Sequence, residues 1–109
     1  MDARVIQVTW EDMSKARGYC GSYNFSGFNP VARAVRRVLK ECRVDARIDL
    51  FVQHVPRRWL TDREDRFGEF AMPLPAEVVT FLQEFVVGRK VIPINFEIPM
   101  ELANKVPWR

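Results

Sequence analysis

The segment "NPVARAVRRVLKEC", residues 29–42, carries the strongest helix signal in the chain and decides the fold class. Asn29 is a residue type favoured at helix N-caps, and Pro30 suits the first helical position. Apolar residues then recur at spacings of three and four, as on the buried face of a helix. They are Val31, Val35, Val38, Leu39 and Cys42. The segment therefore predicts a helix with one face in a hydrophobic core.

The opposite face of this helix is basic. It carries Arg33, Arg36, Arg37, Lys40 and Arg43, which we call the arginine ridge. Spacings of three and four place these side chains on one side, and the pattern predicts that they face solvent. A charge run of this kind is most often a solvated helix face. The functional alternative is that the ridge contacts phosphates or an acidic partner, together with Arg57, Arg58 and Trp59.

Residues 74–90, "LPAEVVTFLQEFVVGRK", predict a second helix. Pro75 suits its first position, and Gly88 suits its C-terminal end. A short helix is expected before residue 18, because Thr9 and Asp12 have the spacing of a capping box and Gly18 can end the helix.

Strands are predicted on both sides of these helices. Residues 4–10 alternate, with Ile6, Val8 and Trp10 on one face, and residues 46–55 alternate in the same way. A weak strand is expected at residues 69–72 and a final one in "VIPINFEI", residues 91–98. The charge-dense residues 56–70 predict a mobile loop.

This order of elements predicts a two-layer α+β fold with two main helices on a small mixed or antiparallel sheet of three to four strands. A ferredoxin-like plait is one natural topology. With 109 residues, 48% of them hydrophobic, the chain can bury one core, so residues 1–109 are expected to form a single domain.

Composition also bounds the function. The net charge of +3 allows nucleic-acid binding without implying it. Cys20, Cys42 and His54 are too few for a structural zinc site, so no metal or other cofactor is expected. Apolar runs are too short to cross a membrane, and the first residues lack a signal-peptide core. We therefore expect a cytoplasmic protein whose cysteines are thiols.

Residues 18–28, "GYCGSYNFSGF", form the second candidate site. The glycine spacing matches neither the Walker motif nor the dinucleotide fingerprint, and Pro30 removes an N–H donor from the following helix, which disfavours a phosphate cradle. The simplest interpretation is an ordered loop whose aromatic residues cover the edge of the core. Alternatively, these side chains stack on bases or anchor a protein interface. They are Tyr19, Tyr23, Phe25 and Phe28.

Catalysis has little support in the sequence. His54 lies in a predicted strand, where a single histidine is more often a packed residue than a general base. Cys20 is the one plausible nucleophile, but no base can be assigned to it, and Ser22 and Ser26 lack a nucleophile-elbow context. The chain is therefore predicted not to be an enzyme.

Three segments carry a resemblance to a set of small uncharacterised proteins encoded by bacteriophages and prophages. They are "VTWEDMSKARG", "NPVARAVRRVL" and "LPAEVVTFLQEFVVGRKVIPINFEI". Asn29 stands where those proteins often have cysteine, and Val86 and Val87 replace an aspartate-containing turn. The resemblance covers most of the chain apart from residues 55–71 and implies a phage accessory protein made in the bacterial cytoplasm, with no activity attached.

The leading hypothesis is thus a non-enzymatic binding protein that inhibits or modulates a host protein or a defence complex, as an anti-CRISPR protein does. A small nucleic-acid-binding protein that uses the arginine ridge is the main alternative. A third class, less favoured, is a protein that sequesters a nucleotide beside the glycine-rich loop.

Overall fold

A computed structural model describes residues 3–39, 42–54 and 70–99 of the chain. Five strands and four α-helices are formed in this part. The strands are β1 (Ala3–Gln7), β2 (Cys42–Ala46), β3 (Asp49–His54), β4 (Phe70–Pro73) and β5 (Asn95–Pro99). The helices are α1 (Trp10–Ala16), α2 (Phe25–Phe28), α3 (Pro30–Val38) and α4 (Ala76–Val86), with a 3-10 turn at Arg17–Tyr19.

The strands form two antiparallel sheets. One has the order β2-β3-β4, and the other pairs β1 with β5, so that Ile6 lies opposite Phe96. The predicted α+β class is confirmed. A ferredoxin-like plait would hold four strands in a single sheet, whereas here the first and last strands of the fold make a sheet of their own.

Helix α3 begins as the sequence predicts. The Asn29 side-chain oxygen accepts a hydrogen bond from the Ala32 amide at 2.8 Å, and Pro30 is the first helical residue. The Asn29 side-chain amide also donates to the carbonyl of Ala46 at 2.7 Å. This fully buried residue therefore caps the helix and fastens it to β2, which explains how a polar group is accommodated in the core.

Helix α3 is shorter than its apolar pattern predicts. The helix ends at Val38, Leu39 is extended, and Cys42 starts β2 instead of a last helical turn. Both Leu39 and Cys42 are nevertheless buried. The apolar pattern correctly predicted that these two residues are buried. It did not predict that the helix ends at Val38, because the pairing of β2 with β3 outweighs helical periodicity.

The β2-β3 hairpin corrects a second prediction. A single strand was expected over residues 46–55, but two strands pair across residues 42–54, with Val44 opposite Val52 and Ala46 opposite Leu50. Ile48, which the prediction placed within the single strand, lies exposed between the two strands. Similarly, Trp10 starts α1 and is 63% exposed, although alternation placed it beside the buried Ile6 and Val8.

Two further helix signals are confirmed, whereas Gly18 does not cap α1, because the C-cap is Arg17 and Gly18 lies within the 3-10 turn. Thr9 and Asp12 form a reciprocal capping box at the start of α1, and Gly88, with φ of 85°, follows α4. Pro75 is the N-cap of α4, one residue before the position predicted for it. Phe96 and Ile98 of β5 face inward, as expected.

Helices and sheets enclose one hydrophobic core. Its largest fully buried side chain is Phe85 of α4, which packs parallel to Phe81 and Phe25 at centroid distances of 6.2 Å. Because Phe25 belongs to α2, this contact connects the core to the candidate site in residues 18–28.

Several predictions lie outside the described residues: the positions of Lys40, Arg57, Arg58 and Trp59, and a mobile loop over most of residues 56–70. Among the described residues, no helix has the length and apolar character needed to cross a membrane. Cys20 and Cys42 are not joined by a disulfide.

Candidate functional site

Two members of the arginine ridge pair with a buried carboxylate, that of Asp12. Asp12 is 1% exposed, and its carboxylate accepts hydrogen bonds from both terminal nitrogens of the Arg37 guanidinium, at 2.6 Å and 3.0 Å. Arg37 also donates to the carbonyl of Gln7 at 2.7 Å, and the Arg33 Nε lies 3.6 Å from Asp12. The amide of Thr9 completes the shell at 2.9 Å. This Asp12 cluster joins β1, α1 and α3, so its role is structural.

Two described members of the arginine ridge, Arg37 and Arg43, are exposed as the sequence predicts, but each is paired with a carboxylate. Arg33 and Arg37 turn toward Asp12, and Arg36 packs against residues 27 and 28. Arg43 lies on β2, not on the helix, and pairs with Asp45 at 3.6 Å. These pairings were not predicted, because helical spacing places a side chain on one face of the helix without showing which carboxylate packs against it.

The electrostatics of Asp12 give a pH prediction. Burial alone would raise its pKa, but hydrogen bonds from Arg37 and from Thr9 outweigh burial and hold the pKa below the ordinary value of 3.8. Between the two values the unfolded chain binds more protons than the folded one. The stabilisation is thus fully present above about pH 5 and is lost as the pH falls below 3.8 through the folded pKa.

We expect the free energy of unfolding of the wild-type protein to fall more steeply with acid than that of Asp12→Asn, by up to about 1.4 kcal/mol per pH unit. Urea titrations of both proteins between neutral pH and pH 3 give the difference, in which the other carboxylates cancel. Parallel curves below pH 4 would show that Asp12 is not held in its ionised form.

The segment 18–28 presents a stacked aromatic surface. The rings of Tyr19 and Phe28 are parallel within 15° at a centroid distance of 4.8 Å, and the Arg36 guanidinium lies 5.1 Å from the Phe28 ring centre. Arg36 also donates to the Gly27 carbonyl. Tyr19 and Phe28 are partly exposed, and Tyr23 is 95% exposed. We call Tyr19, Tyr23, Phe28 and Arg36 the aromatic surface.

Phe25 is the exception among the four predicted aromatic residues. Its ring is directed to the core, where it stacks on Phe85. Phe25 is partly buried and therefore packs α2 against the core.

A cleft of about 520 Å³ opens beside the aromatic surface, between α2 and β2. Tyr23, Phe28 and Arg36 line one side, and Arg43, Val44 and Asp45 line the other. A second cleft, of about 650 Å³, continues past Ser26 and Arg43 toward the hairpin turn and includes Asp49. Gly27 lies close to this strand, since a Cβ there would stand 3.4 Å from an Asp45 oxygen.

The backbone of this segment does not form a phosphate cradle. The amides of Ser22, Phe25 and Gly27 donate to carbonyls of the same segment at 2.9 to 3.1 Å. A phosphate cradle needs several backbone N–H groups directed at one anion, and these three are already used. Helix α2 is also only four residues long.

The exposure of several large apolar side chains was not predicted from the sequence. Trp10 was expected inside, whereas Val87 and Ile92 are exposed after α4, where Ile92 lines a third cleft of about 410 Å³. No local pattern distinguishes these residues from core residues, because their exposure depends on where the chain turns. Within residues 3–39, 42–54 and 70–99, no group of three or more His, Cys, Asp or Glu side chains is arranged to hold a metal.

Comparison with known proteins adds no identification. No protein-family model matches the chain, and neither a curated protein nor a solved structure shows significant similarity to it.

Proposed function

We propose that this protein acts by binding another protein through the aromatic surface, and that it catalyses no reaction. The supporting observation is the Tyr19–Phe28–Arg36 stack, held at the surface by α2 with Tyr23 beside it. Tyr and Arg side chains, with other aromatic residues, contribute most often to the energetic centres of protein interfaces. Side chains that are already ordered lose less entropy when a partner binds.

The pairing of basic residues with Asp12 favours protein binding over nucleic-acid binding. Nucleic-acid affinity grows with the number of phosphates that Lys and Arg neutralise. Arg33 and Arg37, which the nucleic-acid hypothesis needed, are engaged by Asp12. The stack itself combines aromatic rings with a single arginine, Arg36, a composition that fits a protein partner better.

The biological setting of the proposal comes from the sequence resemblance to small phage and prophage proteins. We infer a phage-encoded protein of the bacterial cytoplasm that inhibits or modulates a host protein or a defence complex, in the manner of an anti-CRISPR protein. Its absence of assignable catalytic groups in the sequence agrees with stoichiometric action.

Affinity capture from bacterial lysate, with and without nuclease and at two salt concentrations, tests the proposal. We expect a stoichiometric protein to be retained after nuclease treatment and at high salt. The double variant Tyr23→Ala/Phe28→Ala should lose it, with affinity reduced about a hundredfold or more. Trp10→Ala is the matched control, because it removes an exposed aromatic ring that does not line the cleft.

Two results would contradict the proposal. Retained material that disappears with nuclease or moderate salt would establish nucleic-acid binding instead. Equal capture by the double variant and by wild type would remove the aromatic surface from the interface. Circular dichroism of each variant shows that the fold is intact before binding is compared.

A further inference from the structure

Arg36 is a half-buried cation that is held in place by Gly27 and Phe28. Its guanidinium donates to the Gly27 carbonyl and lies over the Phe28 ring. In the part of the chain that the structure describes, no carboxylate oxygen comes within 4 Å of it, in contrast to Arg37, which Asp12 neutralises. Burial, together with repulsion from Arg33, lowers the pKa of Arg36, and the attraction of the more distant Asp45 carboxylate offsets only part of this effect.

The cleft around Arg36 combines charge with apolar walls. Phe28 and Tyr23 provide aromatic surface, and Arg43 lies across from them, where it pairs with Asp45 at 3.6 Å. The guanidinium of Arg36 is planar and suited to a bidentate contact with a carboxylate. Its position is set by the protein, so a ligand would not have to order it.

We propose that this cleft receives an acidic side chain, Asp or Glu, of the partner protein, with a neighbouring apolar or aromatic side chain of the partner packed against Tyr23 and Phe28. This inference rests on the proposed function and specifies the chemistry of its partner. The carboxylate neutralises Arg36, and the adjoining apolar group covers the exposed rings, which removes water from the new ion pair.

The same surroundings argue against a nucleic-acid backbone in the cleft. An extended polyanion leaving Arg36 along β2 would meet charges of both signs, since Arg43, Asp45, Arg47 and Asp49 line the adjoining cleft. Repulsion from the two aspartates would oppose the phosphates placed beside them. A single carboxylate flanked by uncharged side chains places one charge beside Arg36, in a cleft where Asp45 is itself paired with Arg43.

A displayed library of random peptides, selected on the immobilised full chain, tests the inference without knowledge of the natural partner. We expect selected peptides to be enriched in Asp or Glu next to an aromatic residue. For the tightest synthetic peptide, binding measured by fluorescence anisotropy should weaken about tenfold or more when its acid is replaced by the amide. Arg36→Gln should cause a similar loss, and Arg36→Lys an intermediate one.

Arg89→Gln is the matched control, because it removes one positive charge from a residue that does not line the cleft. It should leave peptide affinity unchanged. Replacement of the acid in the peptide does not alter the protein, so the inference stays testable even if Arg36→Gln disturbs α2.

The outcomes separate the inference from the proposed function. Peptides that need Tyr23 and Phe28 but tolerate both the acid-to-amide change and Arg36→Gln would overturn the acidic-partner inference and leave the proposed function standing. Binding of a short oligothymidylate that depends on Arg36 and competes with the peptide would overturn it in favour of phosphate recognition. Failure to select any peptide that needs the aromatic surface would overturn both.

Discussion

Asp12→Ala is expected to lower the free energy of unfolding by about 3 kcal/mol, and the melting temperature by roughly 10–20 °C. The substitution removes two contributions together. Asp12 closes the capping box of α1 with Thr9, and it binds Arg37 through two hydrogen bonds. Its loss also leaves the cations of Arg33 and Arg37 close together with no negative charge between them. The Nε of Arg33 is moreover buried without a hydrogen-bond acceptor.

Glu11→Ala is the control for this experiment. Glu11 precedes Asp12 in the first turn of α1 and pairs with Lys15 at 3.3 Å, but both side chains are exposed, so its loss should cost no more than about 0.5 kcal/mol. Urea denaturation gives both values. A double-mutant cycle with Arg37→Ala should show a coupling energy above about 1 kcal/mol. If Asp12→Ala were as mild as Glu11→Ala, the Asp12 cluster would not hold β1, α1 and α3 together.

Local sequence signals predicted the element ends well. The capping box of Thr9 and Asp12, the N-cap of Asn29 and the glycine after α4 all depend on residues within a few positions of each other. Such signals act through short-range hydrogen bonds and backbone geometry, which the sequence displays directly.

Signals that depend on distant pairing were missed. No local signal near residue 42 indicates that β2 pairs with β3. The predicted helical face was therefore extended to Cys42, which lies in a strand. The division of the strands into two sheets likewise depends on β1 meeting β5 across almost the whole chain. Both choices are made by tertiary packing, which outweighs local propensity.

For the candidate site too, some features were predicted from local sequence and others, which depend on distant contacts, were not. The aromatic residues of segment 18–28 were identified from composition, and three of the four are partly or fully exposed. The pairing of Arg37 with Asp12 was not predicted, because Asp12 lies 25 residues away from Arg37 in sequence. A buried acid inside a capping box was the available signal, since a buried carboxylate requires a cationic partner.

The second large effect is expected in the core beneath the site. Phe85→Ala should lower the free energy of unfolding by about 4 kcal/mol, because Phe85 is fully buried and stacks on both Phe25 and Phe81. Val87→Ala, at an exposed position just after α4, is the control and should change stability by less than about 0.5 kcal/mol. Thermal and urea denaturation measure both.

Phe85→Ala should also loosen the aromatic surface, since Phe25 then loses the ring that fixes α2. Leu82→Ala separates this local effect from a general loss of stability, because Leu82 is a buried residue of the same helix that is not part of the ring stack. At a temperature where both variants are folded, hydrogen exchange at the amides of Phe25 and Gly27 should be faster in Phe85→Ala, and partner binding weaker. Equal exchange in the two variants would mean that α2 is held by its packing on β2, and that the aromatic surface keeps its geometry without support from the core.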